Sequence, residues 1–373
     1  MDNAREGVTS SAVAAIVLSG EPERSGCEMP GRLRNWNTRV DDYLRRKAAE
    51  GGNLVAMTRV AADLRERGET AEAEQWYRRA ASGGDRIAMT ALAHLLAERG
   101  ADDEAARWYH EAAQAGEPHG MLGYARTCEN QGHLNEAERW YAAAFQAGVP
   151  EAAGLLGHLL VEDGRYADAE GWCRAAAEDG DATAMLDLGT VLRELGAPEE
   201  MAHWWRAAAD AGELSATCLL GREAERANRE GDAERWFRRG AKGGHVEAKV
   251  RLGLLLHRRG DLEEAERWYL EAAEAGDAAA MTNLGVLARN RRDDGEAAAW
   301  YRKAAEHGSV PALTNLGHLA EARNDLAQAE RCFRVAAETG DVQGMLSLTR
   351  MLRARGATAE ADHWQALAAD RPQ

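Results

Sequence analysis

Arginine and histidine recur at a fixed spacing and are the side chains of this sequence best suited to hold a charged group. At two positions of a 32-residue period, eleven of twenty residues are Arg or His and three are Glu. Arg binds carboxylate and phosphate groups through paired hydrogen bonds, which favours an acidic peptide, a C-terminal carboxylate or a phosphorylated segment. A solvated helix surface with chance enrichment is the alternative interpretation. The candidate binding residues at these positions are His94, Arg126, His158, Arg193, Arg222, His257, Arg289, His318, Arg350 and Arg353.

The sequence contains no pattern typical of catalysis or of a bound metal or cofactor. The eleven His residues include no His-x-x-x-His and the five Cys residues no Cys-x-x-Cys, whereas a metal site needs three or four converging ligands. A Gly-rich phosphate loop, Ser-x-x-Lys and Gly-x-Ser-x-Gly are also absent. We therefore assign no catalytic, metal-binding or cofactor-binding residue, and an enzyme is the less favoured class.

Composition and charge narrow the class of partner. The formal net charge is 46 − 62 = −16, so nucleic acid is not an expected partner. No apolar run approaches the roughly 20 residues of a membrane helix, and we expect no membrane partner. The five cysteines are odd in number and unevenly placed, which favours a reducing compartment, the cytoplasm. Arg greatly outnumbers Lys, which we interpret as the codon usage of a high-GC bacterial genome.

Internal repetition is the strongest feature of the chain. A 32-residue period places Gly at regular intervals from Gly52 to Gly340. Such self-similarity is typical of solenoid proteins, and ten repeats run over 53–372 without an insertion. Cys332 occupies the one vacant position of the tryptophan series, whose members are Trp76, Trp108, Trp140, Trp172, Trp204, Trp236, Trp268, Trp300 and Trp364.

The hydrophobic pattern predicts two helices in each repeat. In the repeat 277–308, Met281 and Leu284 belong to one apolar stripe, and Trp300 and Tyr301 to a second. Helices of this length are marginal alone, so packing between helices must stabilise them. One position of the first helix is small in eight successive repeats, and we expect it to let the paired helices approach closely. The residues at this position are Ala93, Ala125, Gly157, Gly189, Gly221, Gly253, Gly285 and Gly317. We also expect the Trp residues to fill the space between neighbouring hairpins.

Turn residues mark the helix ends. A Gly recurs between the two helices, where Asn228 and Asn324 replace it in two repeats and also tolerate a left-handed backbone. Arg292 stands there in a third repeat and predicts a locally different or strained turn. Residues such as Asp85 follow the second helix and are expected to cap the next one.

The recurring unit is Ala-x-x-x-Leu-Gly … Gly … Glu-Ala-x-x-Trp-Tyr-x-x-Ala-Ala-x-x-Gly-Asp, and the stretch Ala280 to Gly308 shows most of it. This unit resembles the Sel-like repeats, a branch of the tetratricopeptide repeat superfamily, over about residues 37–372. The period is shorter than is usual in that family, and the paired cysteines of its secreted members are missing. The resemblance implies an all-α fold, a right-handed α-α superhelix (α-solenoid) of about ten 32-residue helix-turn-helix repeats.

The same resemblance implies that the first helix of each repeat lines a concave groove, which would place the Arg and His positions inside it. In peptide-binding tetratricopeptide proteins an Asn of the first helix contacts the ligand backbone. Asn283 and Asn315 resemble that residue and complete the set of candidate binding residues.

The ends of the chain depart from the pattern. We predict an N-terminal tail or irregular cap at 1–35, a lone capping helix at 36–52, and tandem repeats over 53–372. Gln365 replaces an aromatic residue in the last repeat, which suits an exposed end.

The function predicted from these features is that of a scaffold or adaptor binding a protein or peptide, with an acidic segment favoured. An enzyme or small-ligand protein using the groove as a pocket, and a self-assembling structural repeat protein, are the alternatives. An acidic N-terminal tail that occupies the groove is a further hypothesis.

Overall fold

The fold is all-α. A computed structural model describes residues 43–370, which form helices joined by short turns and contain no strand. These residues belong to two compact units, unit 1 up to Gly132 and unit 2 from His133 onward. In each unit, helices that are neighbours in the chain pack against one another in series, which confirms an α-solenoid of helical hairpins.

The predicted N-terminal tail, 1–35, and the beginning of the predicted capping helix, 36–42, lie outside the described residues, as does Cys27. Residues 43–50 are helical. Ala49 of this helix is completely buried and belongs to the core of unit 1.

Unit 1 contains five further helices. Helices α1 and α2 form one hairpin, α3 and α4 form the next, and α5 packs against both α3 and α4. Their bounds are α1 Leu54–Glu66, α2 Thr70–Ser82, α3 Arg86–Glu98, α4 Asp102–Gln114 and α5 Pro118–Asn130.

Unit 2 contains fifteen helices in its described part, 133–370. Odd-numbered helices are the first helices of the repeats and even-numbered helices are the second. Their bounds are α6 Leu134–Gln146, α7 Glu151–Glu162, α8 Tyr166–Glu178, α9 Ala182–Glu194, α10 Pro198–Asp210, α11 Leu214–Arg226, α12 Glu230–Lys242, α13 Val246–Arg259, α14 Leu262–Glu274, α15 Ala278–Asn290, α16 Asp294–Glu306, α17 Val310–Ala322, α18 Leu326–Glu338, α19 Val342–Ala354 and α20 Thr358–Ala369.

The helix boundaries follow the predicted capping residues. Asp85 accepts hydrogen bonds from the backbone amides of Ile87 and Ala88, and Asp277 accepts one from Ala280 at the start of α15. These carboxylates satisfy amides that have no partner within the helix. The capping role predicted from sequence is therefore confirmed.

The turn between the two helices of a repeat has a left-handed residue, as predicted. Asn228 and Asn324 have φ of 54° and 61°, and Arg292 has φ of 63°. Arg292 therefore adopts the same turn as Gly does elsewhere, so the turn is not locally different. The strain that we predicted for a side chain in this backbone region is present.

The tryptophans are less buried than the sequence predicted for residues that fill the space between hairpins. The recurring Trp residues, Trp236 among them, are only half-buried, and the residue that follows is buried in every repeat except the last, where Gln365 follows Trp364 and is exposed. The indole of Trp268 lies at the edge of the core and donates to the carboxylate of Glu264 at 3.3 Å. A second series thus fills the centre of the hairpins: Tyr77, Tyr109, Tyr141, Cys173, Trp205, Phe237, Tyr269, Tyr301 and Phe333.

The glycines of the first helices face this buried series. A Cβ atom on Gly285 would lie 2.5 Å from Cε1 of Tyr301, and one on Gly253 would lie 2.5 Å from Cε1 of Tyr269. No side chain fits at such a distance without a shift of its neighbours. The close approach of paired helices that the small residues predicted is therefore confirmed.

Charged side chains link successive second helices at the surface. Arg238 of α12 pairs with Glu234 at 2.7 Å and with Glu264 of α14 at 2.5 Å, and Arg259 pairs with Glu234 at 2.8 Å. Exposed pairs of this kind contribute about 0–1 kcal/mol each. The ion pairs therefore supplement the apolar contacts between repeats.

Candidate functional site

The candidate binding residues lie on first helices, and none of them is buried. His94 and Arg126 belong to α3 and α5 of unit 1, and the remaining ten belong to odd-numbered helices of unit 2. Their backbone positions are thus as expected. Whether they line a concave groove stays a prediction.

The candidates nearest the beginning of unit 2 are paired with acidic residues. Nδ1 of His158 lies 2.9 Å from Oδ2 of Asp187, which is almost completely buried, and Nε2 lies 3.5 Å from Glu162. Arg193 pairs with Glu194 at 2.8 Å and also lies over the ring of Trp205. These contacts already compensate the charge of Arg193 and hold the imidazole of His158 in place.

The candidates at the end of unit 2 are also paired. Both terminal nitrogens of Arg350 bind Glu321, at 2.7 and 2.8 Å, and this bidentate contact holds the pKa of Glu321 below its usual range. His318 lies 3.7 Å from the same carboxylate, and Arg353 pairs with Asp362 at 3.0 Å. An incoming acidic ligand would have to compete with these carboxylates.

Three candidates between these two groups have no acidic partner. Within the described part of the chain, no carboxylate lies within 4.0 Å of Arg222, His257 or Arg289. Arg222 and His257 are partly exposed, and Arg289 is exposed. Burial raises the pKa of Tyr301, and the charge of nearby Arg289 opposes this rise. Arg222, His257 and Arg289 are therefore the cationic candidates of unit 2 that remain available to a ligand.

The spacing of the ion pairs between repeats accounts for part of this difference between paired and unpaired candidates. First helices of successive repeats meet through residues 29 apart, as in His158 with Asp187, or 33 apart, as in Arg258 with Glu225. No acidic residue stands 29 or 33 positions from Arg222, His257 or Arg289.

Apolar and amide side chains accompany the available cations. Leu254 is 37% exposed and Val286 is partly exposed, and they occupy in their repeats the position that Arg222 has in its own. We call Arg222, Leu254, His257, Val286 and Arg289 the Arg222–Arg289 patch. Leu254 and Val286 carry no charge, so the enrichment in Arg and His does not identify them as members of the patch.

The two Asn candidates, Asn283 and Asn315, lie on the first helices α15 and α17. Both side chains are partly exposed. Asn283 also lines a shallow depression together with Thr282, Ser309 and Pro311, at the junction between two repeats. The amide groups can donate and accept hydrogen bonds there.

Two tyrosines beneath the patch have unsatisfied hydroxyl groups. The hydroxyls of Tyr269 and Tyr301 are buried and have no hydrogen-bond partner of normal geometry, and the side chain of Arg289 lies near the Tyr301 hydroxyl. In unit 1 the equivalent Tyr109 hydroxyl lies 2.7 Å from Nδ1 of His94, and burial raises the pKa of Tyr109 to about 12. Leu254 and Val286 stand at the position of His94 in the repeats of Tyr269 and Tyr301, and they offer no polar atom.

The described cysteines behave as packing residues. Burial raises the pKa of Cys173 and of Cys218 to about 12, so neither forms a thiolate nucleophile near neutral pH. Cys128 is also buried and Cys332 is half-buried. Between 43 and 370, no group of three or more His, Cys, Asp or Glu side chains could hold a metal ion. None of the helices in that range is both long and apolar enough to cross a membrane.

Comparison with known proteins agrees with the repeat architecture. Tetratricopeptide repeat models match residues 54–83, 125–182, 218–280 and 278–306. No curated protein matches the sequence.

Two solved structures are similar over most of the chain. One is c5321, a protective antigen of uropathogenic Escherichia coli with a Sel-like repeat fold; it is 25% identical, with a TM-score of 0.59, and the match covers 87% of this chain and 78% of that one. The other is a Sel1 repeat protein from Oxalobacter formigenes, 23% identical, with a TM-score of 0.60 and coverage of 82% and 99%. The tetratricopeptide matches and these two structures together support a fold of the Sel-like branch of the tetratricopeptide repeat superfamily.

Proposed function

We propose that this protein is an interaction scaffold that binds a protein or peptide on the first-helix surface of unit 2. Repeat folds of this superfamily generally mediate protein–protein interaction. The observation that carries the proposal is a set of three accessible cations without acidic partners in three consecutive repeats of an acidic protein: Arg222, His257 and Arg289. Charge complementarity with such a surface favours an acidic ligand.

Fluorescence anisotropy tests the proposal with the full chain and two labelled peptide pools, one acidic and one neutral with the same apolar residues. The acidic pool is expected to bind more tightly. Its affinity should fall as ionic strength rises from about 0.05 M to about 0.3 M, because exposed charges are screened over that range. Binding that ignores both peptide charge and salt would contradict an acidic partner, and absence of binding by both pools would contradict peptide binding.

We further propose that the protein acts in a reducing compartment, the cytoplasm. The four cysteines in the described part of the chain are free thiols, which supports this assignment. Cell fractionation with an antibody against the native protein tests it, and recovery from an oxidising compartment would contradict it.

Self-association is a second candidate function because apolar residues are exposed on the last described hairpin. Leu346 of α19 is 45% exposed and Leu367 of α20 is 38% exposed. If this hairpin stacks on a second copy, light scattering should show a dimer or larger species that Leu346→Lys reduces to a monomer. A wild-type protein that stays monomeric at high concentration excludes this function.

A further inference from the structure

We infer that the ligand of the Arg222–Arg289 patch is an extended segment with two acidic side chains about five or six residues apart and an apolar side chain between them. This inference rests on the proposed function and specifies the partner of the same surface. Arg222 and Arg289 would bind the two carboxylates, and the apolar side chain would lie against Leu254 and Val286.

The choice of these two arginines follows from the pairing within unit 2. His158, Arg350 and Arg353 already have carboxylates at 2.7–3.0 Å, so a ligand gains little from approaching them. Arg222 and Arg289 each have a positive charge that no carboxylate of the protein compensates, and a planar guanidinium whose N–H donors match the geometry of a carboxylate. Binding energy from charge is therefore concentrated at the two ends of the patch.

The patch is continuous along the first helices. Leu254 and His257 are three residues apart on α13, as Val286 and Arg289 are on α15, so each pair lies on one helix face. His257 and Val286 are 29 residues apart, and that is the spacing at which Glu321 and Arg350 are in contact. The repeat thus places the apolar residues between the two arginines.

The repeat geometry sets the distance between the ligand's acidic groups. Helices α11 and α13, which are first helices of successive repeats, are in contact. Packed helix axes lie about 8–10 Å apart, and the same spacing applied to each of the two repeats places Arg222 roughly 16–20 Å from Arg289. An extended chain advances about 3.3 Å per residue, and five or six residues span this distance.

The middle of the patch selects an apolar residue. Leu254 exposes 37% of its surface, and Val286 is partly exposed. A ligand side chain such as Leu would remove apolar surface from water on both sides. A charged side chain placed there would lose hydration without gaining a partner.

A series of labelled peptides tests the spacing. Each peptide has the same length, one central Leu, a Gly/Ser background and two Glu residues separated by three, six or nine positions. We expect the six-residue spacing to bind about tenfold more tightly than the other two, a difference of about 1.4 kcal/mol. Replacing the central Leu with Ser in that peptide should also weaken binding.

Variants of the protein test the residues. Arg222→Gln and Arg289→Gln are each expected to weaken binding of the peptide with the six-residue spacing about tenfold. The matched control is Arg350→Gln, because the guanidinium of Arg350 is already paired, and it should change the affinity less than about twofold. Circular dichroism of each variant checks that the fold is retained.

A further variant neutralises Arg222 without removing it. Arg251→Asp places a carboxylate 29 residues from Arg222, which is the relation between Asp187 and His158. It should weaken binding as much as Arg222→Gln does. Arg267→Asp on α14 makes the same change of net charge on a second helix and serves as the control.

The outcomes separate this inference from the proposed function. If acidic peptides bind equally at all three spacings, or if Arg350→Gln weakens binding as much as Arg222→Gln, the inference is wrong and the scaffold function stands. If the spaced peptides fail to bind while the acidic pool binds, the inference is again wrong. If the pool fails as well, both are wrong.

Discussion

The hydroxyl of Tyr109 lies 2.7 Å from Nδ1 of His94, and this contact joins the two helices of one hairpin. Leu254 and Val286 occupy the position of His94 in the repeats of Tyr269 and Tyr301, 15 residues before each tyrosine. The hydroxyls of Tyr269 and Tyr301 are left without a hydrogen-bond partner of normal geometry. Among these three repeats, only the one with His94 at this position provides a polar partner from the first helix for the buried tyrosine.

Removing the hydroxyl group should affect stability differently for tyrosines without a hydrogen-bond partner and for one that has a partner. A buried hydroxyl without a partner costs about 1–3 kcal/mol, so we expect Tyr269→Phe and Tyr301→Phe to leave the unfolding free energy unchanged or to raise it by about 1 kcal/mol. Tyr109→Phe removes a hydrogen bond and should lower it by about 1 kcal/mol. Urea unfolding followed by circular dichroism measures the three values. Equal losses for all three variants would contradict the difference seen in the structure.

His94 should titrate below its usual range. The ring of His94 packs edge-on against Tyr109, and the partial desolvation of the ring lowers the pKa of His94 from 6.5. The positive charges of Arg65 and His119 lower this pKa further, whereas Glu98 and Glu117 raise it. The unfolded state therefore binds more protons than the folded state just below pH 6.5. Stability from His94 is complete above that pH and is lost as the pH falls.

NMR titration of the His94 ring proton measures this pKa, and thermal unfolding tests the linkage. Between about pH 7.5 and about pH 5, we expect the wild-type protein to lose more stability than His94→Gln, since the variant has no group that titrates at this site. An NMR midpoint above 6.5 would contradict the expected direction.

Sequence periodicity was sufficient to predict the helices, the caps and the left-handed turns because each depends on contacts within a few residues. Asp277 and Asn228 occur where local backbone geometry requires them. The relative burial of Trp236 and Phe237 was not predictable in the same way. Both residues recur every 32 positions, and only the packing of the paired helix, with Gly221 against Phe237, distinguishes the buried one.

The candidate site was predicted only in part. Repeat comparison correctly placed the charged residues on first helices, but it did not show that Glu321 holds Arg350 or that Asp187 holds His158. These contacts join different repeats, and their spacing of 29 residues follows from how hairpins stack rather than from the helical period. The charge available to a ligand therefore became clear only from the three-dimensional packing.

Phe237 should contribute more to stability than its neighbour Trp236. Phe237 is completely buried, so Phe237→Ala should cost about 3–5 kcal/mol through lost transfer energy and a cavity. Trp236 is half-buried and Arg239 lies over its ring, so Trp236→Ala should cost clearly less although it removes more atoms. Urea midpoints of the two variants compare them directly. A larger loss for Trp236→Ala would restore the role that the sequence suggested for tryptophan.

Two glycines within helices should respond oppositely to alanine. A Cβ atom at Gly171 of α8 would meet no atom within 4 Å, so Gly171→Ala should raise the unfolding free energy by about 0.5–1 kcal/mol through helix propensity. At Gly285 the Cβ atom would lie 2.5 Å from Tyr301, and the overpacking should cost about 1–3 kcal/mol. The double variant Gly285→Ala/Tyr301→Leu should lose less stability than the sum of its single changes, because the shortened side chain relieves the contact. Strict additivity, measured by urea unfolding, would show that close helix approach at Gly285 does not depend on Tyr301.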